Sequence, residues 1–121
     1  MRKRGISWVI STRFQGQFVL QQELLPRREQ SETVIAFNDI NPVAPTHVLI
    51  IPKIHAENAA ELTLANPEVL IECFEMAASI AKDRELNGYR TVFNTGVDGG
   101  QSVFHAHLHL LGDRALSWPP G

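Results

Sequence analysis

The sequence has a single cysteine, few aromatic residues and almost no excess charge. One cysteine, Cys73, excludes an internal disulfide and is typical of a reducing compartment, so we expect a cytoplasmic protein. A net charge of -2 offers no broad basic surface, so we expect no nucleic-acid partner. No apolar run approaches the roughly 20 residues that span a bilayer, and no secretory hydrophobic region follows the start, so we expect no membrane partner.

Length and charge divide the chain into two unequal parts. With 121 residues, 44% of them hydrophobic, the sequence predicts one domain with a modest core. Residues 1–32 hold six Lys or Arg and three Glu, whereas residues 33–121 hold five Lys or Arg and ten Asp or Glu. We interpret residues 1–32 as a divergent, loose N-terminal segment, with a candidate strand at 13–20 and a turn-like stretch at 24–30.

From residue 33 onwards the secondary structure can be predicted from the pattern of apolar residues. A β-rich run covers 33–37, and a nearly continuous apolar run at 47–51 predicts a buried strand. A helix follows at 66–88, and then strands at 90–94 and 103–111. Strands, one long helix and again strands predict an α+β fold with an antiparallel sheet.

The long helix has recognisable ends. Asn66 is a good N-cap, Pro67 suits the first turn, and Gly88 predicts the stop. Cys73 falls inside this helix, where we expect it to be buried by packing. The apolar positions that repeat at helical spacing are Leu70, Phe74, Ala77, Ala78 and Ala81.

Three of the five histidines alternate with apolar residues between positions 105 and 111. On a strand, His105, His107 and His109 would share one face. Clustering three titratable rings costs free energy, so such a row indicates a functional role for the histidines. A purely structural role is the first alternative, and an affinity tag is excluded because tags are uninterrupted and terminal.

A zinc site is the sharper alternative for these histidines. A strand rises roughly 3.3 Å per residue, which separates His105 from His109 by about 13 Å. Zinc–nitrogen bonds are only about 2 Å long, so one ion could join two neighbouring histidines but hardly all three. We therefore expect no metal, and a histidine that attacks or transfers a proton remains.

A glycine-rich turn precedes the histidines at residues 96–103. Glycines there permit positive φ, and backbone N–H groups in such turns form concave anion sites. Ser102 adds a hydroxyl beside the predicted strand. An anion site that runs into a histidine strand favours nucleophilic attack on phosphorus.

At this point the motifs resemble a known family. The run at 105–111 resembles the signature of the histidine triad (HIT) superfamily, in particular its nucleotide-binding, phosphoramidase-type branch. The resemblance implies that residues 33–121 form a HIT domain with a C-terminal tail, built on an antiparallel sheet of about five strands and one long helix and paired into a homodimer. Further matching stretches lie at 37–53, 88–90, 94–102 and 118–121.

The resemblance implies a hydrolase that cleaves the P–N bond of purine nucleoside phosphoramidates. His107 would attack phosphorus and form a covalent nucleotidyl-histidine, which water converts to a nucleoside monophosphate such as AMP. His109 would hold the developing charge, and Ser102 would bind phosphate and pass a proton to the leaving amine. His105 and His47 would orient the central ring through hydrogen bonds. No cofactor is implied.

The same resemblance implies a nucleotide site. Its members would be Phe37, Asp39, Ile40, Asn94, Gly100, Gln101 and Ser102, together with His107 and His109. Many members of this branch have histidine where this chain has Asn38, and His55 falls outside the pattern and is interpreted as a surface residue. Two alternatives stay open, a dinucleoside polyphosphate hydrolase of the same superfamily and a non-catalytic nucleotide-binding or scaffold protein.

Overall fold

A computed structural model describes residues 6–14, 17–24 and 28–121. Within these residues the fold is α+β, as predicted, and it contains seven strands and two helices. The elements are β1 (Ile6–Phe14), β2 (Gln17–Leu24), β3 (Arg28–Gln30), β4 (Val34–Asn38), β5 (Thr46–Pro52), α1 (Ala59–Ala65), α2 (Pro67–Asp83), β6 (Tyr89–Phe93) and β7 (Leu108–Gly112). None of the helices in this part of the chain is long and apolar enough to cross a membrane.

Five of the strands form one antiparallel sheet in the order β3-β4-β5-β7-β6, which confirms the predicted sheet of about five strands. Strand β5 lies at its centre, and all seven of its residues are buried. Val48 pairs with Leu110 and Ile50 with Leu108, and these four side chains face α2 in the main core. Leu49 pairs with His109, so the opposite face of the same two strands carries the histidines.

The long helix is confirmed, but only part of its predicted apolar face is buried, and the helix ends earlier than predicted. Its buried residues are Val69, Cys73, Ala77, Ile80 and Ala81. Of the predicted apolar positions, Ala77 and Ala81 are buried and Leu70 packs against the core. Phe74 is 43% exposed and Ala78 is also exposed, so these two were predicted wrongly. The helix ends at Asp83, where Arg84 caps it and Glu85 adopts a φ of 56°, so Gly88 is not the stop.

The predicted strand at 103–111 is shorter in the structure. Strand β7 begins only at Leu108, so His109 is the one triad residue on a strand. Residues before it bond to the loop after β5 instead of continuing the ladder, as shown by the Ala106 N–H, which donates to the Ala56 carbonyl at 2.7 Å. The alternating pattern therefore predicted a strand at His105 and His107, whereas both residues lie in the loop before β7.

Two strands of the N-terminal segment lie within the described residues. Strands β1 and β2 pair as an antiparallel hairpin, so the single strand predicted at 13–20 is replaced by two strands on either side of positions 15 and 16. Those two positions, and 1–5 and 25–27, lie outside the described residues. Strand β3 occupies 28–30, which had been predicted as turn-like.

Candidate active site

A cavity of about 320 Å³ opens beside the histidine face of the sheet. Phe37, Leu49 and His109 are successive neighbours across β4, β5 and β7, so their side chains form one wall. The remaining walls come from the loop after β4 and the loop before β7. The residues that line it are Phe37, Asp39, Ile40, Asn41, Leu49, Ser102, Val103, His107 and His109.

Most of this lining had been singled out from the sequence, but three members had not. Asn41 and Val103 adjoin predicted residues. Leu49 could have been found, because it lies two positions after His47 on a strand and must share its face. The strand had been treated as a uniformly buried run, which hid the distinction between its two faces.

The central histidine, His107, is held in one tautomer. Its Nδ1 lies 2.7 Å from the carbonyl oxygen of His105. A carbonyl oxygen can only accept, so Nδ1 carries the proton and the neutral ring keeps a lone pair on Nε2. Burial lowers the pKa of His107, which favours the neutral ring. The side chain therefore lines the cavity with an unprotonated nitrogen.

His47 and His109 form a second chain of hydrogen bonds behind the cavity. The Val43 N–H donates to Nδ1 of His47 at 3.1 Å, so the proton of neutral His47 is on Nε2. That Nε2 lies 2.9 Å from Nδ1 of His109 and 3.3 Å from a carboxylate oxygen of Asp39. Because Nδ1 of His109 accepts, its own proton is on Nε2, where it can be donated to a ligand.

The roles expected of the outer histidines are distributed differently in the structure. His47 bonds to His109, and it is the backbone carbonyl of His105 that contacts the central ring. The His105 side chain instead bonds to the Pro52 carbonyl at 2.8 Å through Nε2. Its Nδ1 lies 3.0 Å from Nδ1 of His55, which had been interpreted as a plain surface residue.

The glycine-rich loop uses two of its expected anion donors internally. The Gly100 N–H donates to the Val97 carbonyl, and the Gln101 N–H donates to the Gly96 carbonyl, both at 3.0 Å. Of the predicted cradle residues, Ser102 is the one that lines the cavity. Asn94 also lies outside the lining, with its side chain 3.9 Å from where a Cβ on Gly100 would be.

The Gln101 side chain explains how the loop keeps its shape. It is 4% exposed, and its amide oxygen accepts the Gly96 N–H at 2.8 Å. Its amide nitrogen donates to the carbonyls of Glu57 and Val103 at 2.7 and 3.0 Å. Gln101 thus joins the loop to the segment after β5, and this satisfied network is what positions Ser102 next to it.

Asp39 is oriented by its neighbours at the mouth of the cavity. One carboxylate oxygen accepts the Asn41 N–H at 2.8 Å, and the other lies beside His47. Asn38, the position that departs from the resembled branch, accepts a hydrogen bond from Arg84 at 3.1 Å and so connects this loop to the end of α2. Ile40, 57% exposed, forms the rim.

Asp39, His47 and His109 also form a possible metal-ligand set, because their ligand atoms lie within 4.8 Å of one another. The hydrogen bond from Val43 argues against this use. It places the His47 proton on Nε2, which is the nitrogen that would have to bind the ion. Binding would require loss of that hydrogen bond or of the proton, so the donor set fits a proton relay better than a metal.

We expect the buried histidines to make stability depend on pH. Burial lowers the pKa of His105 and of His109 from 6.5 to about 4. Between these pH values the unfolded chain binds protons that the folded chain does not. The contribution of the two neutral histidines to the free energy of unfolding is therefore complete above pH 6.5 and falls as the pH drops towards 4. Urea unfolding should show a loss on the order of 3 kcal/mol for each of the two histidines across this interval. His105→Gln should flatten the slope, and an equal slope in parent and variant would contradict the assignment.

The chain is similar to known proteins in both sequence and fold. The model of the HIT domain family matches residues 29–116. A purine nucleoside phosphoramidase of Escherichia coli is 43% identical over 89 residues, covering 72% of this chain and 75% of that protein. A 14 kDa zinc-binding protein of Zea mays is 47% identical over 95 residues, covering 76% and 74%. The crystal structure of a HIT family hydrolase from Legionella pneumophila superposes with a TM-score of 0.73 at 44% identity, covering 77% of this chain and 85% of the other.

Proposed function

This chain belongs to the HIT family of nucleotide-binding hydrolases, and from that premise we propose that it cleaves the P–N bond of purine nucleoside phosphoramidates. The observation that carries the proposal is the hydrogen bond from Nδ1 of His107 to the His105 carbonyl. It leaves the Nε2 lone pair of a neutral imidazole beside a cavity that also holds a carboxylate and a hydroxyl. The phosphoramidase among its relatives supports the same reaction.

In the first step of this proposal, Nε2 of His107 attacks the α-phosphorus and the P–N bond breaks. The new bond makes the His107 ring cationic, and the His105 carbonyl stabilises that charge through the Nδ1 proton. The Nε2–H group of His109 donates a hydrogen bond to the negatively charged phosphoryl oxygens. Ser102 binds the phosphate and passes a proton to the departing amine.

In the second step, water attacks phosphorus, the bond from phosphorus to Nε2 of His107 breaks, and the nucleoside monophosphate is released. The proton that the water loses returns to the Ser102 oxygen, which gave its own proton to the amine in the first step. The His107 lone pair is restored, so the ring returns to the tautomer it had before the reaction. His47 supports both steps because its Nε2 proton holds Nδ1 of His109 as an acceptor. No step needs a metal or a cofactor.

The nucleoside half of the substrate has its own proposed contacts. The Asp39 carboxylate accepts hydrogen bonds from the ribose hydroxyls, as carboxylates do with paired donors. Phe37 and Leu49 offer an apolar wall for the base, and Ile40 covers its edge. The family resemblance implies that Asn94, Gly100 and Gln101 lie on the phosphate side, but the Gly100 and Gln101 N–H groups already donate within the loop, so we propose that these two residues act by holding Ser102 in place.

The experiment that tests this function compares two substrates. We expect steady turnover of an adenosine phosphoramidate with a fluorescent amine leaving group, without added metal. Turnover of a diadenosine polyphosphate should be much slower. The reverse preference would indicate a dinucleoside polyphosphate hydrolase, and AMP binding with no turnover of either would indicate a non-catalytic nucleotide-binding protein.

We also propose that the chain is a homodimer. Ile71, Phe74 and Tyr89 are large apolar residues on α2 and β6, and they are 57%, 43% and 46% exposed. Among the described residues, strand β6 lies at the edge of the sheet, where its outer N–H and C=O groups can pair with another chain. Sedimentation equilibrium should give the mass of two chains, and Phe74→Glu should give that of one. A monomeric parent would contradict the proposal.

A further inference from the structure

Residues 52–57, which comprise the last residue of β5 and the segment after it, bind the loop that carries His105 and His107. Four contacts join them, and all are made to residues 101–106. The Pro52 carbonyl accepts a hydrogen bond from the His105 ring, and the Ala56 carbonyl accepts one from the Ala106 N–H. The Glu57 carbonyl accepts a hydrogen bond from the Gln101 side-chain amide, and the His55 ring contacts the His105 ring.

The contact between His55 and His105 has a defined direction. Nε2 of His105 faces the Pro52 carbonyl at 2.8 Å, so the proton of neutral His105 is on Nε2. Burial lowers the pKa of the His105 ring to about 4, so the ring is neutral near pH 7. Its Nδ1 is therefore an acceptor, and the 3.0 Å contact requires Nδ1 of His55 to donate. A neutral or a protonated His55 can make this donation.

The His105–Ala106 peptide group transmits this arrangement to the nucleophile. Its N–H donates to the Ala56 carbonyl at 2.7 Å, and its oxygen accepts from Nδ1 of His107, also at 2.7 Å. Hydrogen bonds in such a chain strengthen one another, because each polarises the next. The orientation of this one peptide group therefore decides which nitrogen of His107 keeps its lone pair.

We propose that His55 is a positioning residue for the reaction, which holds the His105 ring and thereby the peptide group that keeps Nε2 of His107 unprotonated. The inference rests on the proposed function, since it concerns the same nucleophile. His55 is exposed and belongs to neither core cluster, so its removal leaves no large cavity. It does not line the active-site cavity either, so its effect should fall on kcat and not on KM.

Two substitutions at His55 and one at its neighbour test the proposal. His55→Ala removes the donor, and kcat should fall about fivefold to tenfold, the effect of one lost hydrogen bond, with KM unchanged. His55→Asn places an amide N–H near the position of Nδ1 and should restore most of kcat. Ile54→Ala is the matched control, because this exposed side chain lies on the same segment and should leave kcat unchanged.

A measurement on the free protein separates this inference from the proposed function. The side-chain ¹⁵N signals of His107 report its tautomer by NMR without any substrate. In the parent they should show a proton on Nδ1, and in His55→Ala a fraction should move to Nε2. Unmoved His107 signals in His55→Ala, or a parent-like kcat in that variant, would overturn the role of His55. Absence of phosphoramidate turnover in the parent would instead overturn the proposed function, and the NMR result would still decide the role of His55.

Discussion

Replacement of His107 by alanine is expected to reduce kcat for phosphoramidate hydrolysis by roughly 10⁴-fold or more, as when the nucleophile of a covalent mechanism is removed. The lone pair on Nε2 of this residue makes the new bond to phosphorus, and no neighbour can replace it. Nδ1 of His109 already accepts from His47, and the ring of His105 is engaged with Pro52 and His55. Single-turnover kinetics and intact-protein mass spectrometry check the result, because the parent should accumulate a nucleotidyl adduct and the variant should not.

A second substitution at the same position distinguishes chemistry from loop structure. His107→Asn keeps an N–H near Nδ1 that can still donate to the His105 carbonyl, but it has no Nε2. We expect it to be as inactive as His107→Ala while unfolding at nearly the parent temperature. AMP binding, measured by calorimetry, should survive in both variants. An active His107→Asn would show that His107 supports the loop and that the nucleophile lies elsewhere.

Replacement of Gly99 by alanine is expected to have the second-largest effect. A Cβ at this position would collide with the carbonyl oxygen of Thr95 and would lie 3.3 Å from the Thr95 N and C atoms. Backbone cannot move aside as a flexible side chain does, so the glycine-rich loop must shift. That loop carries Gln101 and Ser102, and a displacement of about 1 Å in a catalytic group can lower the rate about 10²-fold.

Gly88 provides the matched control for this prediction. A Cβ there meets nothing within 4 Å, and Gly88 is not among the residues with positive φ. We expect Gly88→Ala to retain parent activity and stability, whereas Gly99→Ala should lose kcat/KM about 10²-fold and about 1–3 kcal/mol of stability. Steady-state kinetics and urea unfolding on the three proteins measure both effects. Equal behaviour of the two variants would mean that the loop accommodates the methyl group.

Several features of the fold were predictable because they depend on neighbouring residues in the chain. The apolar run at 47–51 produced a fully buried β5, and Asn66 with Pro67 marked the start of α2. The end of α2 was mispredicted, since Glu85 reaches a positive φ without being glycine. The buried face of α2 was predicted only in part, because Ala77 and Ala81 are buried as expected whereas Phe74 and Ala78 are exposed.

The candidate site was predictable in its membership more than in its connections. Spacing identified His107 and His109, and the resembled motifs identified Phe37, Asp39 and Ser102, all of which line one cavity. The tautomer of His107 was not predictable, because it depends on where a carbonyl oxygen lies. His55 was missed for a similar reason, since its contact is made with a residue 50 positions away.

The sequence by itself determined the α+β class, the central strand and the long helix, and it marked six of the side chains that line the cavity. Those properties follow from side-chain identity and from periods of two and 3.6 residues, which are local. Only the tertiary structure decided how the histidines are protonated, because the deciding partners are largely backbone groups of Val43, Pro52 and His105. Nearly every residue carries such N–H and C=O groups, so their roles leave no mark in the sequence and arise only when the folded chain brings them against a ring.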